Sequence, residues 1–569
     1  MRRSYIAAGL ISIIVLLVFY PTLSATVVDL DDTEFILYLN NSKDSISFKA
    51  LLFPTPPVKY YRPLLILSYI IDCKIWQMEY SGYHLTNIVI HLFNVLIFYI
   101  IALKIFQNHK ERTAISFFAA LLFAVNPLTC ESVAWISGRS DLLGTFFSLL
   151  AFLTYQSKLK SRYLLLILFV FMGLLSKENA LAIIPVIIVV DFTINRSSRN
   201  CMRPFIISIL LALPLSIYLY IRLAGFGASN VPVEIASSLV SITNDPAFDF
   251  LFLLKIPAII SFYIKKLIIP YPLNLIINDI NFALYSILSI LFIAVFCVFI
   301  IKKMYRQVIL VILIIISFSP AILVAITNIA WSLYAERYLY LSITVWAVFV
   351  SELFFYLALE KFIQYRGAII ALMVMIVVVL SVTCLHRNLV WQDKVALWED
   401  TYKKNPDNGK VLYKYGSVLK GDEGLPFFKK AVGIASNNEW KDLSLLVLAD
   451  NEIKNEKYQA AVIYIKEALK INSNYQNCSE AINALKKIIG NSKVNIEENT
   501  NLLIDCYEKL YMYRPNPNSL YSLGLIYLKN CETDIAIKYF KKIVNNFSTD
   551  SVAKHAKIQL TEINQNYEK

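Results

Sequence analysis

Charge is what this chain has least of. Only 17% of its 569 residues are charged, 57% are hydrophobic, and the mean hydropathy is +0.57. Soluble globular proteins keep their apolar share nearer about 45–50%, so an ordinary soluble fold is excluded and most of the chain must lie in lipid. A second lack is metal-ligand spacing. The eight cysteines include no CxxC pair, so no structural zinc is expected; Cys478, Cys506 and Cys531 can pair only if folding brings them together. A third is any basic patch or stripe. The net charge of +13 is spread as short clusters between apolar runs, which fits membrane orientation better than nucleic acid.

Apolar runs long enough to cross a bilayer occur near residues 5–24, 84–106, 163–176, 179–195, 204–222, 282–301, 307–327, 338–358 and 367–385, with two shorter ones near 114–126 and 141–156. Arg2 and Arg3 precede the first run, which is read as an uncleaved span rather than a signal peptide. The positive-inside rule puts Arg2-Arg3, Lys110-Arg112, Lys158-Lys160-Arg162, Arg196-Arg199-Arg203, Lys302-Lys303-Arg306 and Lys361-Arg366 in the cytoplasm. They alternate consistently if Leu251 to Pro270, interrupted by Lys255, Lys265 and Lys266, lies along the membrane. The expectation is an all-α, polytopic domain of roughly 11 spans, with the N-terminus inside and the polar C-terminal part outside the cytoplasm.

That topology gathers the charged motifs at extracytoplasmic span ends, where charge near lipid is costly and therefore informative. Asp31 and Asp32 follow the first run and are the candidate base for activating a hydroxyl; the competing explanation is ordinary solvated loop. Loop 25–83, with FPTPP at 53–57 and Tyr60, Tyr61 and Arg62, is long enough to roof a site, and the guanidinium of Arg62 suits phosphate. His84, Asn87, His91 and Asn94 make a polar stripe on one helix face, either for interhelical hydrogen bonds or for a ligand. NPLTCESVAWISGRSDLL at 126–143 supplies Glu131, Arg139 and Asp141. Lys177-Glu178 and Glu336-Arg337 are opposite-charge neighbours at later span mouths; orienting helix ends is the competing role for each.

Beyond His386 the chain turns polar, with helical periodicity to its end. Gly524, Tyr527, Ala536 and Phe540 after Pro517 match the tetratricopeptide pattern, in which small residues sit where two helices touch. Ala449, Ala461 and Ala468 fit a second unit, Gly416, Phe428 and Ala431 a shortened one, and 480–513 a degenerate one. Stacked pairs of this kind form a groove suited to an extended peptide. The expected domains are residues 1–386 in the membrane, a connecting helix at 387–404 that includes WQDKVALW, and a repeat α-solenoid at 405–569.

YRPLLILSYIID, HLTNIVIHLFN, NPLTCESVAWISGRSDLL, LLSKENALAIIPVIIVVDF and ERYLYLS, in that order and followed by a helical repeat, resemble the transmembrane and tetratricopeptide-repeat family of glycosyltransferases. Asn126 and Cys130 replace residues commoner in that family. The family is similar to protein O-mannosyltransferases of the GT-C fold. The resemblance implies transfer of mannose or another hexose from a polyprenyl-phosphate-linked donor to Ser or Thr hydroxyls of a protein or peptide acceptor, outside the cytoplasm and with inversion. Asp32, or Asp31, would take the hydroxyl proton; Arg337, Arg62, Arg139 and Lys177 are the candidates for the donor phosphate, and Glu131, His84, Glu178 and Glu336 for supporting roles or a divalent cation such as Mg or Mn. The short repeat part points to a bacterial relative in the inner membrane with a periplasmic repeat domain, the alternative being the endoplasmic reticulum with a luminal one. Other readings are transfer to lipid or glycan, and a non-enzymatic membrane-anchored repeat scaffold.

Overall fold

The computed structural model describes residues 2–26, 32–42, 61–194, 202–226, 248–327, 330, 332–434, 440–490 and 496–567. Asp31, the FPTPP segment, Tyr60, Arg196 and Arg199 lie outside the described residues. Among those described, every regular element is helical. The chain divides into two compact units, Met1–Asp400 and Thr401–Lys569.

Among the described residues of the first unit, seven helices are long and apolar enough to cross a membrane: Arg2–Ser24, Tyr80–Ile105, Ile136–Tyr155, Pro204–Arg222, Phe282–Ile301, Glu336–Tyr356 and Ile363–Gln392. Two bent pairs raise the number to nine if each is one span, Arg112–Ala124 with Pro127–Ala134 at 48° and Tyr305–Ser317 with Ser319–Thr327 at 42°. A proline follows each break, Pro127 and Pro320; it withdraws a backbone donor and disfavours helix at the residue before it. Two more of the roughly 11 expected spans correspond to shorter helices, Arg162–Ser176 and Ile183–Ile194, of 15 and 12 residues. Alone these reach only about 22 and 18 Å, less than the hydrocarbon core. The helix Phe248–Ile268 carries Pro257 in its interior and Lys265 and Lys266 in its last turn, and is not among the seven.

Close helix contact in this unit comes from small residues, as expected where apolar association cannot drive packing. A Cβ on Gly144 would sit 3.3 Å from the Lys177 side chain, and one on Gly173 would sit 3.2 Å from Ala180. The 3-10 turn Glu178–Ala182 is thereby drawn against the helix Arg139–Tyr155.

The second unit is a succession of helix pairs: Gly409–Val418 with Leu425–Gly433, Lys441–Lys454 with Tyr458–Ile471, Tyr475–Ile489 with Ile496–Tyr513, and Pro517–Lys529 with Thr533–Asn546, followed by Ser551–Tyr567. Each helix packs on its successor, and the first helices of the first three pairs also pack on one another. The small residues sit at the contacts. Ala449, Ala461 and Ala468 are wholly buried, and a Cβ on Gly524 would lie 2.6 Å from the ring of Phe540.

Candidate active site

The polar stripe of the helix Tyr80–Ile105 anchors the segment that carries the acidic and basic motifs. Asn87 Nδ2 donates to the carbonyls of Trp135 at 3.0 Å and Val133 at 3.2 Å, and Asn94 Nδ2 to that of Leu142 at 3.0 Å. His91 joins the Tyr340 hydroxyl at 2.6 Å to the Ala124 carbonyl at 3.1 Å. The stripe thus forms interhelical hydrogen bonds. His84, at its N-terminal end, is buried against the backbone of Ala25 and Ala134. Residues 126–138 fold tightly: Asn126 Oδ1 accepts from the Leu128 amide at 3.1 Å, and a Cβ on Gly138 would lie 2.6 Å from the Ser132 carbonyl oxygen, so only glycine allows that approach.

Arg139 enters the helix Arg139–Tyr155 with no exposed surface. Its guanidinium binds Asp72 at 2.5 Å, donates to Asn87 Oδ1 at 2.7 Å and the Tyr83 carbonyl at 3.0 Å, and lies 4.7 Å above the Tyr69 ring. With its fork so engaged, Arg139 is placed as a tie between helices; the sequence-based assignment to a donor phosphate is revised on that ground. Asp32 opens the helix Asp32–Ser42 and is buried. Its Oδ1 accepts from both the Ser137 amide, at 3.1 Å, and the Ser137 hydroxyl. Asp32 is therefore held on the turn that leads into Arg139 and Asp141.

The two opposite-charge neighbours in the sequence do not pair with each other. Lys177 Nζ binds Asp141 at 2.5 Å, while Glu178 accepts from Arg62 Nε and Nη2 at 3.1 and 2.9 Å and lies 3.9 Å from Arg222. Arg337 holds Glu131 through its guanidinium and, at 3.1 Å, through its backbone amide. Glu336 takes Lys266 at 2.6 Å and the Asn274 amide at 3.0 Å. Every one of these partners is remote in sequence, and Arg222, Lys266 and Asp72 were not singled out for the site from the sequence. Their signal was a charge inside an apolar stretch.

Lys177 and Arg337 line one small cleft together with Asp141, Thr145, Asn179 and Tyr338. Tyr338 lies 5.7 Å from Lys177 Nζ and 5.1 Å from the Arg337 guanidinium, which is also 5.1 Å from Trp135. Lys177, between two helices, is pushed down to about 8 by burial; Asp141 opposes this, and Arg62 and Arg337 add to it. Three cations are therefore close enough to act on one another, each with a carboxylate of its own: Asp141 on Lys177, Glu178 on Arg62 and Glu131 on Arg337. The cleft gathers Lys177 and Arg337; Arg62 and His84 do not line it, and Arg139, Glu336 and Asp32 are held on other partners.

Among the described residues no three His, Cys, Asp or Glu side chains come together as a ligand set. Both oxygens of Glu131 are engaged by Arg337. So engaged, Glu131 is placed to orient the Arg337 guanidinium.

The chain is similar to protein O-mannosyl-transferases. Protein O-mannosyl-transferase F38B6.6 of Caenorhabditis elegans is 27% identical over 402 residues, 68% of this chain and 54% of the relative. Protein O-mannosyl-transferase TMTC1 of Mus musculus is 38% identical over 102 residues, 18% of this chain and 10% of the relative, and TMTC3 of Homo sapiens 37% over 97 residues, 17% and 10%. The matched region spans about half the length of the nematode relative and about a tenth of the mammalian ones. No family model and no solved structure matches the chain. The apolar helices and these relatives together fit a multi-pass membrane protein.

Proposed function

We propose that the chain is a GT-C-type member of the transmembrane and tetratricopeptide-repeat family, which moves a hexose, mannose first among them, from a polyprenyl phosphate to a Ser or Thr hydroxyl of a protein. The observation that carries this reading is the convergence of Lys177 and Arg337 on one cleft with Asp141, which follows in the chain the Ser137 that binds Asp32. The two cations would take the lipid phosphate as the bond from its oxygen to the anomeric carbon breaks. The acceptor oxygen would attack the same carbon from the opposite face, inverting it, and pass its proton to Asp32, with Asp31 as the other carboxylate of the pair. Ser137 orients Asp32 by donating to one of its oxygens, and the pairing of Arg337 with Glu131 fixes the guanidinium before substrate arrives. Glu178, set between Arg62 and Arg222, positions Arg62 at the flank.

The side assignment rests on the basic clusters and on roughly 11 crossings read from the sequence, an odd number that puts the two ends on opposite faces; the described helices supply seven candidate spans, or up to nine with the bent pairs. The C-terminal unit is then extracytoplasmic, periplasmic in a bacterial cell, where its helix pairs act as a tetratricopeptide solenoid that binds the acceptor segment.

The test is transfer by the purified full-length chain from mannosyl-phosphoryl polyprenol to a Ser/Thr-rich peptide. Wild type is expected to transfer and Asp32→Asn to lose about 100-fold or more. If wild type transfers to lipid or glycan alone, the acceptor is misassigned; if it transfers to nothing, the scaffold reading replaces the enzyme. Unchanged rates in both Asp32→Asn and Asp31→Asn remove the base assignment.

A further inference from the structure

Cys130 and Cys384 are separated by 254 residues, yet their Sγ atoms lie 3.2 Å apart. Both residues are completely buried. Cys130 opens the short helix Cys130–Ala134, just past the bend at Pro127; Cys384 lies near the end of the helix Arg366–Gln392. These two helices pack directly on each other. One turn beyond Cys384, Asn388 Nδ2 donates to the Val18 carbonyl at 2.9 Å, which fixes the rotation of the last apolar helix and keeps Cys384 facing Cys130. The other described cysteines of this unit are different: Cys73 meets the Tyr83 hydroxyl at 3.1 Å and Cys297 is exposed.

A disulfide holds its sulfurs about 2.05 Å apart, so this pair has to close by only about 1.2 Å. We propose that Cys130 and Cys384 form a disulfide that ties the last apolar helix to the segment carrying Glu131. The geometry stands by itself; the oxidising chemistry rests on the extracytoplasmic placement of both helix ends given above. Each thiol loses a proton and together they lose two electrons, which pass to the disulfide of a thiol–disulfide exchange partner. A thiolate attacks that disulfide, the mixed disulfide is displaced by the second cysteine, and the partner leaves as two thiols. Since both sulfurs end up enclosed, the exchange belongs to the stage at which the two helices come together. The bond would close a loop of 254 residues, and long loops gain most from closure in the chain-entropy view. Its consequence for the site is direct: Cys130 precedes Glu131, whose carboxylate holds Arg337 in the cavity.

The experiment is peptide mapping of the full-length chain. Membranes are dissolved in denaturant with iodoacetamide and no reductant, the chain is digested, and peptides are read by mass spectrometry. The expected result is a linked pair containing Cys130 and Cys384, two hydrogens lighter than the sum of its halves, lost on reduction and absent from Cys130→Ser and Cys384→Ser. Because wild type alone reports the bond, a variant that fails to fold leaves the measurement intact. If both cysteines carry the alkyl label while a reporter after Lys569 is extracytoplasmic, the proposal is overturned. A second arm synthesises the full-length wild type cell-free into detergent micelles with oxidised glutathione present, so that exchange can occur as the two helices meet. If the linked pair forms there but not in cells, and the reporter is cytoplasmic, the side assignment has failed and the sulfur geometry stands. If it forms in neither, the geometry is refuted.

Discussion

The two units handle charge in opposite ways. In Met1–Asp400 the ion pairs Lys177–Asp141, Arg139–Asp72, Lys266–Glu336 and Arg337–Glu131 have side chains exposed by 7% or less. In Thr401–Lys569 the pairs are at the surface, and Lys509–Asp505, four residues apart on one helix, is 36% and 47% exposed. Where lipid and packed helices replace water, a charge persists only with a partner, because leaving it alone is expensive. Scarce charges in the first unit therefore carry information about tertiary structure, and plentiful ones in the second carry little.

Breaking one pair in each unit is the sharpest way to test that contrast. Asp141→Asn leaves Lys177 buried without its counter-charge and is expected to destabilise the detergent-solubilised chain by about 3–5 kcal/mol in thermal or denaturant unfolding. A loss below about 1 kcal/mol would mean that water reaches this pair freely. In the second unit the sensitive positions are contacts rather than charges. Gly524→Ala drives a methyl group into Phe540 and is expected to cost about 1–3 kcal/mol, read as a lowered midpoint of the repeat unit's unfolding; no change would argue against tight pairing of Pro517–Lys529 with Thr533–Asn546.

A pH series separates electrostatics from packing at the cavity. Lys177 titrates near 8, so its positive charge is full below that value and is lost as pH rises through it. If it holds the departing phosphate, transfer should fall on the alkaline side by up to about tenfold per pH unit. Lys177→Arg, which stays charged, should flatten that limb. An unchanged alkaline limb in the variant would assign the ionisation to another group. The smallest effect is expected at the surface. Asp505→Asn should alter stability by no more than about 0.5 kcal/mol, and a larger loss would blur the distinction between the units.

Much of this site was visible in the sequence as residue types. Glu131, Arg139, Lys177 and Arg337 stood out because each is a charge bordering an apolar run, and Asn87, His91 and Asn94 because they repeat at helical spacing. Their partners were hidden. Lys177-Glu178 and Glu336-Arg337 look like two local ion pairs, yet each of the four side chains reaches across to a different helix or loop. Arg139 looks equivalent to Arg337 by charge and position; Asp72, Asn87 and Tyr83 enclose it, while Arg337 faces the cavity. Lys266, discounted with a stretch of mixed polarity, neutralises Glu336.

The sequence by itself determined the helical class, the apolar runs that make the long helices, the change to a polar C-terminal part, and the small residues at its helix contacts. These follow from local periodicity and from the length of apolar stretches, which neighbours along the chain set. Only the tertiary structure decided which carboxylate meets which cation, which arginine is enclosed and which lines the cavity, and that Cys130 meets Cys384. Those outcomes depend on helix packing between residues 36 to 254 positions apart, where a shift of one helical turn exchanges every partner.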